Sequence, residues 1–159
     1  MTEIENDNIN LNVDLNNVDT SRQLLAPGKL QLVIKKAETA KTKVGQGTMI
    51  KLTLANVQDE KFEDGTGAPA NSTTVFHQIL ATPKGGMTSS MVQRAVAELI
   101  QAVGGVPGAR LNNLNEWLPA LEKRVLLAQV IVEEESTDKN TGKVYPRKNA
   151  VKYFVIPRR

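Results

Sequence analysis

Six segments of regular periodicity constrain the fold of this chain more than any other feature. Five of them show the alternation of apolar and polar residues that is typical of half-buried strands. These strands are predicted at residues 29–37, 48–57, 73–80, 125–134 and 149–156. The sixth segment has apolar residues at helical spacing and predicts a helix that starts near Ser89 and ends at Gly104–Gly105.

The facing of most strands can be predicted from this alternation. Leu30, Leu32 and Ile34 are expected inside in the first strand, and Ile50, Leu52 and Leu54 in the second. The third strand sets Val75, His77 and Ile79 against Phe76 and Gln78, and either set could be buried. In the last strand, Val151, Tyr153 and Val155 are expected to share one face, opposite Lys152, Phe154 and Ile156. We expect Trp117, in the connection before the fourth strand, to fill the core.

The order of these elements predicts a mainly β fold. Five strands with one helix between the third and the fourth are typical of a five-stranded Greek-key barrel of the OB type. An immunoglobulin-like sandwich needs about seven strands and no such helix. The length of 159 residues suits one domain, predicted at residues 23–159 and preceded by a flexible acidic arm at residues 1–22.

Charge is distributed unevenly along the chain. Residues 1–19 contain five acidic residues and no Lys or Arg, whereas residues 23–159 contain 19 basic and 12 acidic residues. The stretch from Lys139 to the end contains seven basic residues and no acid. A polyanion is the natural partner of such a stretch, although solvated surface charge is the simpler interpretation.

The residue content predicts that the chain is not an enzyme and has no cofactor or metal. There is no Cys and only one His, which excludes a Cys/His zinc site, a thiol nucleophile and disulfide bonds. His77 has no nucleophile motif to accompany it, and the pairs Gly45/Gly47 and Gly65/Gly67 lack the rest of a phosphate-binding loop. With no leader and no long apolar run, we expect a soluble cytoplasmic protein with no membrane partner, in the host cytoplasm if the chain is viral.

Candidate nucleic-acid-binding residues follow from the expected OB fold. Ligands of OB folds lie across strands 2 and 3, between the loop joining strands 1 and 2 and the loop joining strands 4 and 5. Both loops are basic here, and the rings of Phe76 or Tyr145 could stack on bases. The predicted binding residues are Lys35, Lys41, Lys43, Lys51, Phe76, Tyr145, Arg147, Lys148 and Lys152. In the alternative interpretation, Phe76 and Tyr153 belong to the core and the lysines only keep the protein in solution.

Short motifs across residues 9–157 resemble a family of bacteriophage single-stranded-DNA-binding proteins with an OB fold. They are residues 24–28 (LLAPG), 34–38 (IKKAE), 43–47 (KVGQG), 49–52 (MIKL), 123–126 (KRVL), 141–145 (TGKVY) and 151–154 (VKYF). The resemblance implies a protein that coats and protects single-stranded DNA in phage DNA replication or recombination. Many single-strand binders recruit partners through an acidic C-terminal tail, whereas the acidic segment of this chain is at its start.

Several partners and functions stay open. If the acidic arm replaces such a tail, it recruits replication or recombination proteins. RNA in place of DNA, and self-association into a homo-oligomer, are compatible with the same residues. A virion structural or assembly protein that uses a β-barrel for protein contacts is the main alternative. A barrel that binds small molecules or oligosaccharides is disfavoured by the aromatic content of only 4%.

Overall fold

A five-stranded antiparallel sheet forms the body of the protein. The computed structural model describes residue 16 and residues 23–41, 47–82 and 89–157. The strands of the sheet are β1 (Gly28–Lys41), β2 (Thr48–Asn56), β5 (Thr74–Leu80), β6 (Val125–Glu133) and β9 (Lys148–Val155). Their order across the sheet is β5-β2-β1-β6-β9. All five predicted strands are therefore confirmed.

Two short hairpins accompany the sheet. One is formed by β3 (Glu60–Lys61) and β4 (Gly67–Ala68), and the other by β7 (Ser136–Thr137) and β8 (Val144–Tyr145). The five-stranded sheet is open, because no strand ladder joins its edge strands β5 and β9 within the described residues. The mainly β prediction is confirmed, and hydrogen bonding does not close the sheet into a barrel.

Helix α1 (Ser89–Ala102) connects β5 to β6, as the sequence predicts. Its buried residues Val92, Val96, Leu99 and Ala102 recur at intervals of three and four, and so they form one apolar face. Gly104 and Gly105 follow with φ angles of +91° and +98°, which glycine adopts without the steric cost that a Cβ imposes. The Gly105 N–H donates to the Ile100 carbonyl, so the helix ends where predicted.

A compact helical segment places Trp117 in the core. It consists of a 3₁₀ turn (Leu111–Asn113), the short helix α2 (Leu114–Trp117) and a second 3₁₀ turn (Leu118–Leu121). The Trp117 side chain is only 4% exposed, and its indole N–H donates to the Arg110 carbonyl at 2.8 Å. This burial confirms the prediction that Trp117 fills the core. A buried indole usually satisfies its one donor with such a hydrogen bond.

A β-bulge at Lys35 changes the facing of β1 halfway along its length. Ile34 pairs with Leu54 and Lys36 pairs with Thr53, so Lys35 has no partner on β2. Before the bulge Leu32 and Ile34 are buried, and after it Ala37 is buried. The extra residue shifts the alternation of inward and outward side chains by one position. Lys35 and Lys36 therefore both point away from the core.

A second bulge, in β9, corrects the predicted facing of the last strand. Val130 pairs with Val151 and Gln129 pairs with Tyr153, so Lys152 is the unpaired residue. Val151 is buried, whereas Tyr153 is 47% exposed. The prediction that Tyr153 shares a face with Val151 was wrong, as was the interpretation that placed it in the core, because the bulge turns both Lys152 and Tyr153 outward.

Two buried asparagines fix the connections around the sheet. The Asn149 side chain accepts from the Leu25 N–H at 2.8 Å and donates to the Leu25 carbonyl at 3.0 Å. The Asn56 amide donates to the Gln58 and Pro69 carbonyls at 2.9 and 2.8 Å. Burying a side-chain amide costs free energy unless its polar atoms are hydrogen-bonded. These bonds therefore hold the chain at Leu25 and around Gln58 and Pro69 against the sheet.

Two predictions concern regions that the structure describes little or not at all. Apart from Asn16, the predicted arm at residues 1–22 lies outside the described residues, and so the domain boundary stays a prediction. Among the described helices, none combines the length and the apolar character needed to cross a bilayer.

Replacing Trp117 with Ala should lower the free energy of unfolding by about 3–5 kcal/mol, the usual cost of emptying a core site of this size. Trp117→Phe should cost clearly less, because it keeps an aromatic ring in the core and removes only one of the two hydrogen bonds to the Arg110 carbonyl, which still accepts from the Asn113 N–H. Urea denaturation followed by circular dichroism measures both variants. A loss below about 1 kcal/mol for Trp117→Ala would show that the side chain does not support the core.

Candidate nucleic-acid interface

The outer face of β1, β2 and β5 presents a shallow groove, which we call the β2–β5 groove. Cross-strand pairing sets Glu38, Lys51 and Gln78 in one row and Lys36, Thr53 and Phe76 in the next. The groove has a volume of about 310 Å³ and is lined by Glu38, Lys51, Leu52, Thr53, Phe76, His77 and Gln78. It therefore combines a ring, a cation, the carboxylate of Glu38 and polar side chains on one sheet.

The facing of β5, which the sequence left open, is settled by burial. Val75 and Ile79 are buried, whereas the Phe76 side chain is 58% exposed and points outward. The interpretation that placed Phe76 in the core was therefore wrong. Lys51 lies on the outer face of the neighbouring strand, paired with Gln78. The structure thus brings together two of the predicted residues, one ring and one cation.

His77 lies at the seam between the two edge strands, β5 and β9. Its imidazole meets the Phe154 ring edge to face, with ring centroids 5.2 Å apart and an angle of 83° between the planes. Burial lowers the pKa of His77 below its ordinary value, because a charged imidazole loses its hydration there. His77 is thus a packing residue of the seam as well as part of the groove wall.

The other predicted lysines of β1 and β9 are distributed around the sheet. Lys35 and Lys152 are the unpaired residues of the two bulges, and both are exposed. Lys41 lies at the end of β1 and lines a different cleft, formed with residues 111–116. The position of Lys43 is outside the described residues.

Tyr145 lies on the β7–β8 hairpin, away from Phe76 in sequence and on a separate small sheet. Its side chain is 38% exposed, and Lys143 Nζ lies 5.2 Å from the ring centroid. Such a distance is within the range of a cation–π interaction. One face of the Tyr145 ring therefore already has a cationic neighbour.

Arg147 and Lys148 are engaged with carboxylates. Arg147 Nη2 donates to Glu63 at 2.8 Å, and Arg147 Nε donates to Glu134 at 3.0 Å. These hydrogen bonds raise the pKa of Arg147 above its ordinary value. Lys148 Nζ lies 3.5 Å from Glu133. Both cations face acids that partly neutralise them, which the sequence did not indicate because Glu63 lies 84 residues from Arg147.

Acidic residues and glycines have local structural roles in this region. Asp64 accepts hydrogen bonds from the hydroxyl and the N–H of Thr66 in the β3–β4 turn, and these bonds lower its pKa. Gly65 has a φ of +88°, so the predicted turn there is confirmed. Gly45 lies outside the described residues. Across residues 23–41, 47–82 and 89–157, no three His, Asp or Glu side chains lie together in a way that could hold a metal ion.

Sequence comparison assigns the chain to a family. A family model described as a protein of unknown function (DUF669) matches residues 11–155, and the chain belongs to this family. No curated protein matches the chain. The family description does not name a ligand or an activity, and so the function has to be inferred from the residues themselves.

The lowered pKa of His77 predicts a loss of stability in mild acid. The unfolded chain binds the proton more tightly than the folded chain, so the contribution of His77 is complete above about pH 6.5 and decreases as the pH falls towards the lowered pKa. The free energy of unfolding should therefore decrease from pH 7 to pH 5, and His77→Phe should make this dependence shallower. Urea denaturation at several pH values measures the slope. Equal slopes for the two proteins would contradict the buried, neutral imidazole.

Proposed function

We propose that this protein binds single-stranded DNA on the outer face of β1, β2 and β5, without catalysing a reaction. The observation that carries the proposal is the β2–β5 groove, where the exposed Phe76 ring lies beside Lys51 on a rigid sheet. Aromatic rings stack on bases of any sequence, and lysines neutralise phosphates. This combination is what sequence-independent binding of an unpaired strand requires.

The arrangement of the sheet supports an OB-like fold for this function. Strands β1, β2, β5, β6 and β9 take the places of strands 1 to 5, and the long helix lies between the third and the fourth. OB folds are partly open barrels that bind ligands on the face of strands 2 and 3. The corresponding strands here are β2 and β5, the two that form the groove. The contact between His77 and Phe154 brings the two edges of the sheet together, as a barrel of this kind requires.

The candidate residues have unequal roles in this proposal. Phe76 stacks on a base, Lys51 contacts a phosphate beside it, and Lys35 contacts a phosphate further along β1. Lys152, Lys41 and Lys43 add phosphate contacts at the margins. Arg147 and Lys148 contribute less than their charge suggests, since an incoming phosphate has to compete with Glu63, Glu134 and Glu133. Tyr145 supplies a second stacking position only if the strand extends to the β7–β8 hairpin.

The biological setting in the proposal follows from the resemblance to phage single-strand binders. Coating of exposed DNA during replication or recombination needs affinity without base readout, and a ring flanked by lysines provides it. A role in virion structure or assembly is the second candidate. It is favoured by the exposed apolar side chains of Val125, Val144 and Ile156, which lie outside the β2–β5 groove and suit protein contacts.

Fluorescence anisotropy with a labelled oligo-dT tests the proposal. The logarithm of the binding constant should fall linearly with the logarithm of salt concentration, with a slope of about −0.7 per phosphate contacted. Lys51→Ala should weaken binding and make this slope shallower by about 0.7, because one contact is lost. Phe76→Ala should weaken binding by about 1–3 kcal/mol and leave the slope unchanged.

Arg94→Ala is the matched control, because Arg94 is an exposed cation on α1, away from the groove. It should bind oligo-dT as the unmodified protein does. Absence of binding at low salt, or equal losses in Arg94→Ala and Lys51→Ala, would contradict the proposed interface. A protein that binds no DNA but assembles into large particles would favour the structural role.

A further inference from the structure

We propose that Tyr153 is a second base-stacking residue, and that Tyr153 and Phe76 form one platform across the seam between β5 and β9. The platform would hold two bases of an unpaired strand. This inference rests on the proposed function and extends it, because it names the second ring and the minimal ligand. The strand alternation does not point to Tyr153, because it places the ring on the same face as Val151.

The relative direction of the edge strands supports this arrangement. Each neighbouring pair in the order β5-β2-β1-β6-β9 is antiparallel, and so β5 and β9 run in the same direction. His77 and Phe154 meet inside the seam, with ring centroids 5.2 Å apart. Phe76 and Tyr153 each precede one of these two residues by one position. Because adjacent side chains in a strand point to opposite faces, both rings project outward beside the same seam.

Exposure agrees with this placement. The Phe76 side chain is 58% exposed and the Tyr153 side chain is 47% exposed, whereas Phe154 is packed against the core. Large rings on the surface are available for contact with a ligand, and these two lie on either side of one seam. The two most exposed aromatic side chains among the described residues are these two.

The β9 bulge explains how the sequence produces this surface. Without an extra residue at Lys152, Tyr153 would share the inner face with Val151, as the alternation predicts. The bulge makes Lys152 and Tyr153 point outward together, in the same way that the β1 bulge exposes Lys35 and Lys36. Bulges are common next to binding sites, where they redirect a side chain. Here the redirected ring has an exposed cation next to it.

The chemistry of the seam favours an unpaired nucleic acid strand over an apolar partner. Pairing across β1, β6 and β9 sets Lys29, Gln129 and Tyr153 in one row on the outer face. Lys152 lies beside Tyr153 and Lys51 lies near Phe76 on the neighbouring strand. When two bases of a nucleic acid stack on the rings, its phosphates therefore lie close to these lysines. Duplex DNA keeps its base faces stacked on one another and cannot use the rings, so the ligand has to be single-stranded.

A set of four variants tests the platform by anisotropy with labelled oligo-dT. Tyr153→Ala and Phe76→Ala should each raise Kd by about 5- to 150-fold, the range that stacking of one base implies. Tyr153→Phe keeps the ring and should bind within about twofold of the unmodified protein. Val125→Ala removes an exposed apolar side chain of β6 and should leave Kd unchanged.

The double variant Tyr153→Ala/Phe76→Ala shows whether the rings act on one ligand. If two bases of one strand occupy the platform, the double variant should bind more weakly than either single variant. If Tyr153→Ala binds like Val125→Ala while Phe76→Ala and Lys51→Ala bind weakly, the platform is wrong and the proposed function stands. If the unmodified protein binds no oligo-dT, both are wrong.

Photocrosslinking provides a second measurement that does not depend on affinity. An oligo-dT with one 5-iododeoxyuridine, bound to the full chain, should crosslink under ultraviolet light to both rings. Mass spectrometry of tryptic fragments should find the base on residues 153–158 and on the fragment that contains Phe76. Crosslinks to the Phe76 fragment alone would overturn the role of Tyr153. Duplex DNA with the same modified base is the control and should give neither product.

Discussion

The β-bulge at Lys35 is the constraint on which the rest of the structure depends. It lies just after the end of the β6 ladder at Val33 and within the β2 ladder, which runs from Leu32 to Lys41. Just before the bulge, the Ile34 N–H donates to the Arg124 carbonyl and the Ile34 carbonyl accepts from the Lys123 N–H, at 2.8 and 2.7 Å. These bonds anchor β1 where its pairing with β6 ends. Bulges bend a strand and increase its twist, which lets the two edges of the sheet approach each other.

The approach of the edges determines what the outer surface can do. His77 and Phe154 fill the inner side of the seam, so the residues that precede them lie on its outer side. The same geometry that packs the interior therefore exposes Phe76 and Tyr153. The unpaired lysines of the two bulges lie outside as well. The proposed binding surface is therefore a consequence of how the sheet bends, and the loops add cations at its margins.

Much of the fold could be predicted from the sequence, because strand and helix periodicities depend on local burial. The five strands, helix α1 and the buried Trp117 were all predicted from that signal. The bulges were not, since an unpaired residue is determined by hydrogen bonding between strands distant in sequence. Two adjacent lysines at positions 35 and 36, and Lys152 beside Tyr153, are the only local signs of them. The ion pairs of Arg147 were also not predictable, because Glu63 reaches it only through the fold.

The proposed interface places an unpaired DNA strand on the outer face of the sheet, across the β2–β5 groove and the seam. Amide chemical shifts of the ¹⁵N-labelled protein, recorded by NMR during titration with a short oligo-dT, test this most directly. The largest changes should occur in β2, β5 and β9, around Lys51, Phe76 and Tyr153, while the exposed side of α1 around Arg94 should change little. Changes confined to the cleft formed by Lys41 and residues 111–116, or no changes at all, would contradict this interface.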